Sequence, residues 1–321
     1  MRILALTFGD DHCASTKFRL LQYRPLMEAA GMTLEHVPAK AFGAWSSLGE
    51  YDVVILQKTL LKRGLIRRIA RHTRRFIYDV DDRTWLRPGK PHDWITRQRI
   101  SSRVRQIAES ADLCLAANGI IADDLREHGA NPTIVPMALD GAKWHPAETR
   151  EAPLTIGWTG SPASLQYLET IRPALTDIQS EYPEVRWQIH CGQDPNWSDF
   201  KYEHVPFVPD QEPMTVRGFD VGLLPLRDGE FARGKSPIKA LQYFASGVAL
   251  IHSPVGATVE LTQSNALGMA ATTLEDWREC LRRTITDRQT RETTASAGRE
   301  VFLRQHEIKE VFKILQGQLD K

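Results

Sequence analysis

The 321 residues carry 41 Lys plus Arg against 40 Asp plus Glu, a formal net charge of +1, so overall charge points to neither a nucleic acid nor a membrane. With 42% hydrophobic residues, 25% charged residues and 21 glycines, the composition is that of a globular protein and excludes disorder and collagen-like repetition. At roughly 100 to 200 residues per domain, the length predicts two domains, each able to bury its own core.

Cys13, Cys114, Cys191 and Cys280 form no CxxC pair and have no histidine at zinc-site spacing, which predicts reduced thiols and no structural metal. The apolar run Ile3-Leu4-Ala5-Leu6 is cut off by Gly9-Asp10-Asp11-His12, too early for a signal peptide. No stretch approaches the ~20 apolar residues of a membrane span, so a cytoplasmic location is expected.

Short apolar runs alternate with helical patterns, the signature of parallel βαβ units. Arg2 to Thr7 reads as a strand, followed by a polar loop from Phe8 to Thr16 and a helix carrying Phe18, Leu21, Leu26 and Met27 that Gly31 ends. Thr33–Val37, Val53–Leu56, Phe76–Tyr78, Leu113–Ala116 and Thr133–Val135 read as further strands. The pattern breaks between Ala147 and Pro153, then restarts with a strand at Leu154–Trp158, a loop at Thr159–Pro162 and a helix to about Glu181. Strands follow at Val185–His190, Val221–Leu224 and Val248–His252. Val301, Phe302, Ile308, Val311, Phe312 and Leu315 then recur at helical spacing, predicting one or two closing helices between Arg291 and Leu319.

The balanced total hides an asymmetry. Residues 1–150 hold 23 basic and 17 acidic residues, and Lys58 to Arg105 alone holds 15 basic and 4 acidic. A solvated helical face is the ordinary reading of such a run. A surface for anionic headgroups or a phosphate-bearing acceptor is the sharper one, and the two stand about even.

In open parallel sheets ligands bind beyond the carboxyl ends of the strands, so the loops there are the place to look for function. After the first strand of the second half, Gly160 lets a ligand approach the backbone, and Ser161 before Pro162 suits a helix start able to receive phosphate; a purely structural turn looks the same. After Val221–Leu224, the loop presents Arg233 and Lys235 around Gly234, and a helix expected to be capped by Ser236, with Pro237 in its first turn, carries Lys239 and Gln242. An arginine fork, a lysine charge and a helix start together make a diphosphate site. Gln242 either faces sugar hydroxyls or is a solvated helix residue.

Gly234-Lys235-Ser236-Pro237-Ile238-Lys239 and Tyr243-Phe244-Ala245-Ser246-Gly247 resemble the donor-binding segment of the retaining, family-4-like nucleotide-sugar glycosyltransferases of the GT-B fold, commonly GKSPIKxLEYxAxGxPVV. Gln242 stands where that resemblance implies a glutamate on the donor ribose; glutamine keeps an acceptor oxygen without the charge. Ser253 to Glu260, with Gly256 facing the donor, and Asn265 to Gly268 resemble the family's next loops. In the first half, Ser15-Thr16-Lys17-Phe18-Arg19-Leu20 and Ala29-Ala30-Gly31 are similar to its opening helix.

The carboxylates of Tyr78-Asp79-Val80-Asp81-Asp82-Arg83 invite a Mg²⁺ or Mn²⁺ reading, since DxD is the metal motif of the other glycosyltransferase fold class. The resemblance implies instead a metal-free site in which Asp81 or Asp82 orients the acceptor hydroxyl or takes its proton. A strand-end turn with Asp82 paired to Arg83 is the structural alternative. His12, His92, His190 and His252 have no Ser or Cys partner at recognisable spacing and are assigned no role.

The expectation is therefore an α/β chain of the GT-B fold: two Rossmann-like domains facing each other across a cleft, an acceptor-side domain at 1–150, a nucleotide-sugar domain at 151–298, and a C-terminal helix at 299–321 returning to the first. The resemblance implies transfer of a sugar from a nucleoside diphosphate sugar to a glycan, lipid-linked or small-molecule acceptor, with retention. Asp81, Asp82, Arg233 and Lys235 are the catalytic candidates, Gly160, Ser161, Ser236, Lys239, Gln242 and Gly256 the donor-binding ones, and Arg19 faces the acceptor. No cofactor, metal or nucleic acid is expected; peripheral contact with an anionic membrane at its inner face is one of the two readings of the basic stretch. A sugar-nucleotide epimerase of the same fold, or a non-catalytic relative that binds through its basic face, are the alternative readings.

Overall fold

The computed structural model describes residues 1–87, 89, 92–149, 153–208, 210–263 and 267–321. Two compact units emerge: Met1–Ala138 with Gly229–Ser236 and Ile308–Lys321, and Leu139–Asp228 with Pro237–Glu307. The expected boundary at 150/151 and residue Asn265 of the predicted later turn lie outside the described residues.

The first unit is built on six parallel strands, β1 (Arg2–Thr7), β2 (Thr33–Pro38), β3 (Val53–Gln57), β4 (Phe76–Val80), β5 (Leu113–Ala116) and β6 (Pro132–Ile134), in the order β2-β1-β3-β4-β5-β6. β3 and β4 are buried at every position, as strands covered on both faces must be. Alternate residues serve opposite faces. Leu4, Leu6, Val54, Leu56, Phe76 and Tyr78 meet one helical layer through Ile66, Ile69, Val104 and Ile107. Ile3, Ala5, Val53, Ile55 and Ile77 meet the other through Met27, Val311, Phe312 and Leu315. The last three belong to the C-terminal helix Ile308–Leu319, whose closing carbonyls at Gln318 and Leu319 accept from Arg75 at 2.6 and 2.8 Å. The part of the C-terminus grouped with the first unit thus starts at Ile308 rather than 299. The helix before it, Arg288–Val301, is packed instead against helix Ile238–Ala245 of the second unit.

The second unit repeats the plan with β7 (Thr155–Thr159), β8 (Arg186–Cys191), β9 (Glu203–Pro206), β10 (Val221–Leu224), β11 (Ala249–His252) and β12 (Met269–Ala270), all parallel, in the order β12-β11-β10-β7-β8-β9. The connection changes direction between β7 and β10, which makes their carboxyl ends a topological switch point. Trp158, Trp187, Ile189, Ile171, Leu175 and Trp277 fill one core. β9 and β12 were not anticipated: Glu203-His204-Val205-Pro206 carries little apolar signal at the sheet edge, and β12 is two residues long. The predicted opening helix is broken into Ala14–Arg19 and Arg24–Ala29, the second carrying in its first turn Pro25, which has no amide to continue a preceding helix.

Candidate functional site

In the first unit, β3 and β4 run in register so that Gln57 faces Asp79, and the residues leaving both strands converge. Lys58, the first residue after β3, has φ 56°, a left-handed backbone costing a lysine roughly 1–3 kcal/mol. Its amide donates to the Asp79 carbonyl at 2.7 Å, and its ammonium reaches Asp82 Oδ2 at 2.7 Å, Asp81 Oδ1 at 3.2 Å and Ser15 Oγ at 3.0 Å. Burial lowers the Lys58 pKa, but the two carboxylates outweigh it and leave it raised. Burial first, then the Asp81 charge, push the Asp82 carboxyl up against the opposing pull of Lys58. Asp82 keeps 23% of its side chain exposed against 6% for Asp81, so Asp82 is the one able to meet a ligand.

The segment Gly229–Ser236 lies against this constellation within the first unit. The Ser236 hydroxyl donates to the Asp81 carbonyl, its amide donates to Asp82 Oδ1 at 3.2 Å, Asn118 donates to the Gly234 carbonyl at 3.3 Å, and Arg83 donates to the Glu230 carbonyl at 2.7 Å. This corrects the expected cap: with its hydroxyl committed to Asp81, Ser236 does not cap the next helix, which begins at Ile238 after Pro237. Arg233 is exposed and Lys235 half-buried on this segment. The Asp82–Arg83 pair of the structural alternative is not formed: Asp82 binds Lys58, and Arg83 forms two bonds to Asp124 at 2.6 and 2.5 Å.

Arg19 does not face an acceptor. It is 4% exposed, forks onto the buried Asp79 and donates to the Val135 carbonyl at 2.6 Å. Burial opposes its charge, but Asp79 holds its pKa above the ordinary arginine value. The pair ties the opening helix to the sheet.

In the second unit, Thr159 ends β7 and His190 lies near the end of β8, beside helix Ile238–Ala245. Glu212, 5% exposed, collects them: it accepts from Lys239 Nζ at 2.5 Å, Gln242 Nε2 at 3.1 Å and Thr159 Oγ1 at 3.4 Å. Thr159 Oγ1 also lies 3.1 Å from His190 Nδ1. Gln242 is fully buried, neither solvated nor facing outward, and its Oε1 and the His190 Nε2 have no hydrogen-bond partner among the described residues. Burial lowers the His190 pKa more than Glu212 raises it, which keeps the ring neutral near pH 7.

Other predicted residues have local explanations. Gly160 donates its amide to the His190 carbonyl at 3.1 Å, and a Cβ on it would lie 2.3 Å from the Trp158 ring, so packing accounts for the glycine. Ser161 is exposed and pairs its hydroxyl with Ser164 at 3.1 Å. Gly256 has φ 53° at the start of the short helix Ala257–Leu261, a conformation that favours glycine. Glu212 and Lys58 were not singled out by the sequence reading, and His190 was considered there and given no role. Lys58 carried a signal, a charge two residues after the apolar run Val53–Leu56; Glu212 carried none beyond an acidic residue at a helix start.

Residues 169–316 match the family described as glycosyl transferase-like, a stretch that includes His190, Glu212, Arg233, Lys235, Lys239 and Gln242. Among solved structures, sucrose-phosphate synthase from Thermosynechococcus elongatus superposes with a TM-score of 0.74 at 12% identity, covering 99% of this chain and 97% of that one. Anabaena HepE in complex with UDP gives 0.71 at 14% identity over 100% of both chains. OtsA in its apo form gives 0.67 at 10% identity, over 100% of this chain and 99% of that one. At these identities the likeness is one of fold. No curated protein is significantly similar in sequence. The chain has the fold of the GT-B glycosyltransferases, and a little under half of it, residues 169–316, matches the family described as glycosyl transferase-like.

Proposed function

We propose that the protein transfers a hexosyl group, with retention, from a nucleoside diphosphate sugar to a glycan, lipid-linked or small-molecule acceptor. The observation that carries this reading is the run from Arg233 to Gln242, two cations followed by a helix start, inside the stretch that matches the glycosyl transferase-like family. HepE, of the same fold, has been seen with UDP and with UDP-glucose, which supports a donor of that class. Arg233 and Lys235 neutralise the charge growing on the leaving diphosphate, the role in which preorganised charge contributes most to catalysis. Those side chains serve in place of a divalent cation, so transfer survives EDTA. Lys239, Gln242 and Glu212 hold donor hydroxyls, and Asp82 accepts the proton of the acceptor hydroxyl, with Asp81 and Lys58 keeping it in place.

The test is a thermal-shift screen against UDP, GDP, ADP and TDP sugars, with the wild type and Lys235→Ala. A donor at 100 times its dissociation constant adds about 2.7 kcal/mol of stability. One nucleotide stabilising the wild type and not the variant supports the reading; no shift with any nucleotide overturns it. Conversion of the sugar nucleotide without an acceptor would point to the epimerase alternative.

A further inference from the structure

Helix Arg63–His72 turns Ile66 and Ile69 into the core and presents Arg63, Arg67, Arg68 and Arg71 to solvent. It packs beside helix Trp94–Ser110. On that second helix Ile95, Arg99 and Arg103 recur every four residues and so share one face. Lys62 and Arg63 from the first helix meet Arg99, Ser102 and Arg103 from the second around an open cleft of about 320 Å³. Among the described residues, none of Lys62, Arg63, Arg67, Arg68, Arg71 and Arg99 is engaged in an ion pair. At the start of the same helix Trp94 is 74% exposed and Ile95 56% exposed, Ile95 one turn from Arg99.

A merely solvated face explains the arginines but not the apolar pair. Apolar side chains left in water beside an unneutralised cationic cleft mark a surface that meets something both apolar and anionic. We propose that this face docks on an anionic phospholipid surface. Headgroup phosphates enter the cleft between Arg63 and Arg99, and Trp94 and Ile95 sink into the interfacial layer, where an indole is well accommodated. A nucleic acid would use the same cations and could stack a base on Trp94, but the exposed aliphatic Ile95 favours the acyl interface, and an oligonucleotide competitor tests the choice. The proposal stands independently of the donor reading, since none of these residues takes part in it.

The experiment is co-sedimentation of the full chain with vesicles of phosphatidylcholine alone or with 30% phosphatidylglycerol, in low and high salt, together with tryptophan quenching by bromine-labelled acyl chains. Binding is expected only to the anionic vesicles and is weakened by salt. At about 1 kcal/mol per basic residue, Arg63→Ala/Arg99→Ala lowers partitioning about 30-fold. Trp94→Phe removes most of the quenching while the protein still pellets. Arg288→Ala, an exposed arginine of the second unit paired with Glu292, changes neither reading. All these positions are on the surface, so circular dichroism of each variant should match the wild type. A wild type that stays in the supernatant overturns the proposal, as does binding untouched by the arginine pair, quenching untouched by Trp94→Phe, or a duplex oligonucleotide that displaces the vesicles.

Discussion

Ser236 donates its hydroxyl to the main-chain carbonyl of Asp81, joining two loops 155 residues apart in sequence. Its amide donates in addition to the carboxylate of Asp82. Ser236→Ala keeps the second bond and loses the first, leaving a buried carbonyl without its donor. It is expected to cost about 1–3 kcal/mol in urea unfolding and to lower kcat more than it raises the donor KM, because it loosens the loop carrying Arg233 and Lys235.

Asp82, as the proposed base, sets a pH dependence. Its folded pKa is raised by burial and by Asp81, so the acid limb of kcat/KM lies above the ordinary ~3.9 of an aspartate, and activity falls as pH drops through it. Lys58 is a lowering influence on that carboxyl, so Lys58→Met moves the limb to still higher pH. Asp82→Asn abolishes it together with activity. Stripped of its ammonium, the buried Asp81–Asp82 pair also costs the Lys58 variant about 3–5 kcal/mol of stability, readable in the same unfolding series.

Gln242→Glu would bring the sequence closer to the pattern it resembles, yet is expected to harm this protein. Glu212 already lies 3.1 Å from the Gln242 amide, so the variant sets two carboxylates side by side in a buried place. Its melting temperature should fall at pH 7 and recover towards pH 5, as the pair takes up a proton. The double variant Glu212→Gln/Gln242→Glu exchanges the roles and should be more stable than the sum of its parts, a coupling of about 0.5–3 kcal/mol in a double-mutant cycle.

Gly160→Ala separates packing from ligand contact. A methyl there drives into the Trp158 ring, and overpacking of this kind costs about 1–3 kcal/mol. The stabilisation brought by a donor nucleotide should persist on the lowered baseline.

The sheets were legible because parallel strands buried on both faces write their own signal: Val53 to Leu56 can be read as a strand without any knowledge of its neighbours. Strand ends were less so, since Asp79 belongs to β4 through its pairing with Gln57, a relation between chains of residues rather than a property of one. The order of the donor-like run from Gly234 to Gly247 was visible, while its hydrogen bonds were not. Ser236 next to proline is a good local cap, and the bond to Asp81 prevailed because a buried carbonyl needs a donor more than a helix start open to water does. Arg19 and Glu212 mark the limit of such reading: whether a charge is buried against a partner depends on residues 60 and 30 positions away.

The closing helix Ile308–Leu319 has a bearing on how the polypeptide matures. Val311, Phe312 and Leu315 line the same core as Ile3, Val53 and Ile77, beside Tyr23 and Met27, so the sheet of the first unit keeps part of one apolar face uncovered until the helix at Ile308–Leu319 has been translated. The second unit, drawn from the intervening chain, can complete its own packing earlier. A fragment ending at Ala138 therefore lacks part of the cover of that face, and removal of Ile308–Lys321 strips apolar side chains from the core of the first sheet.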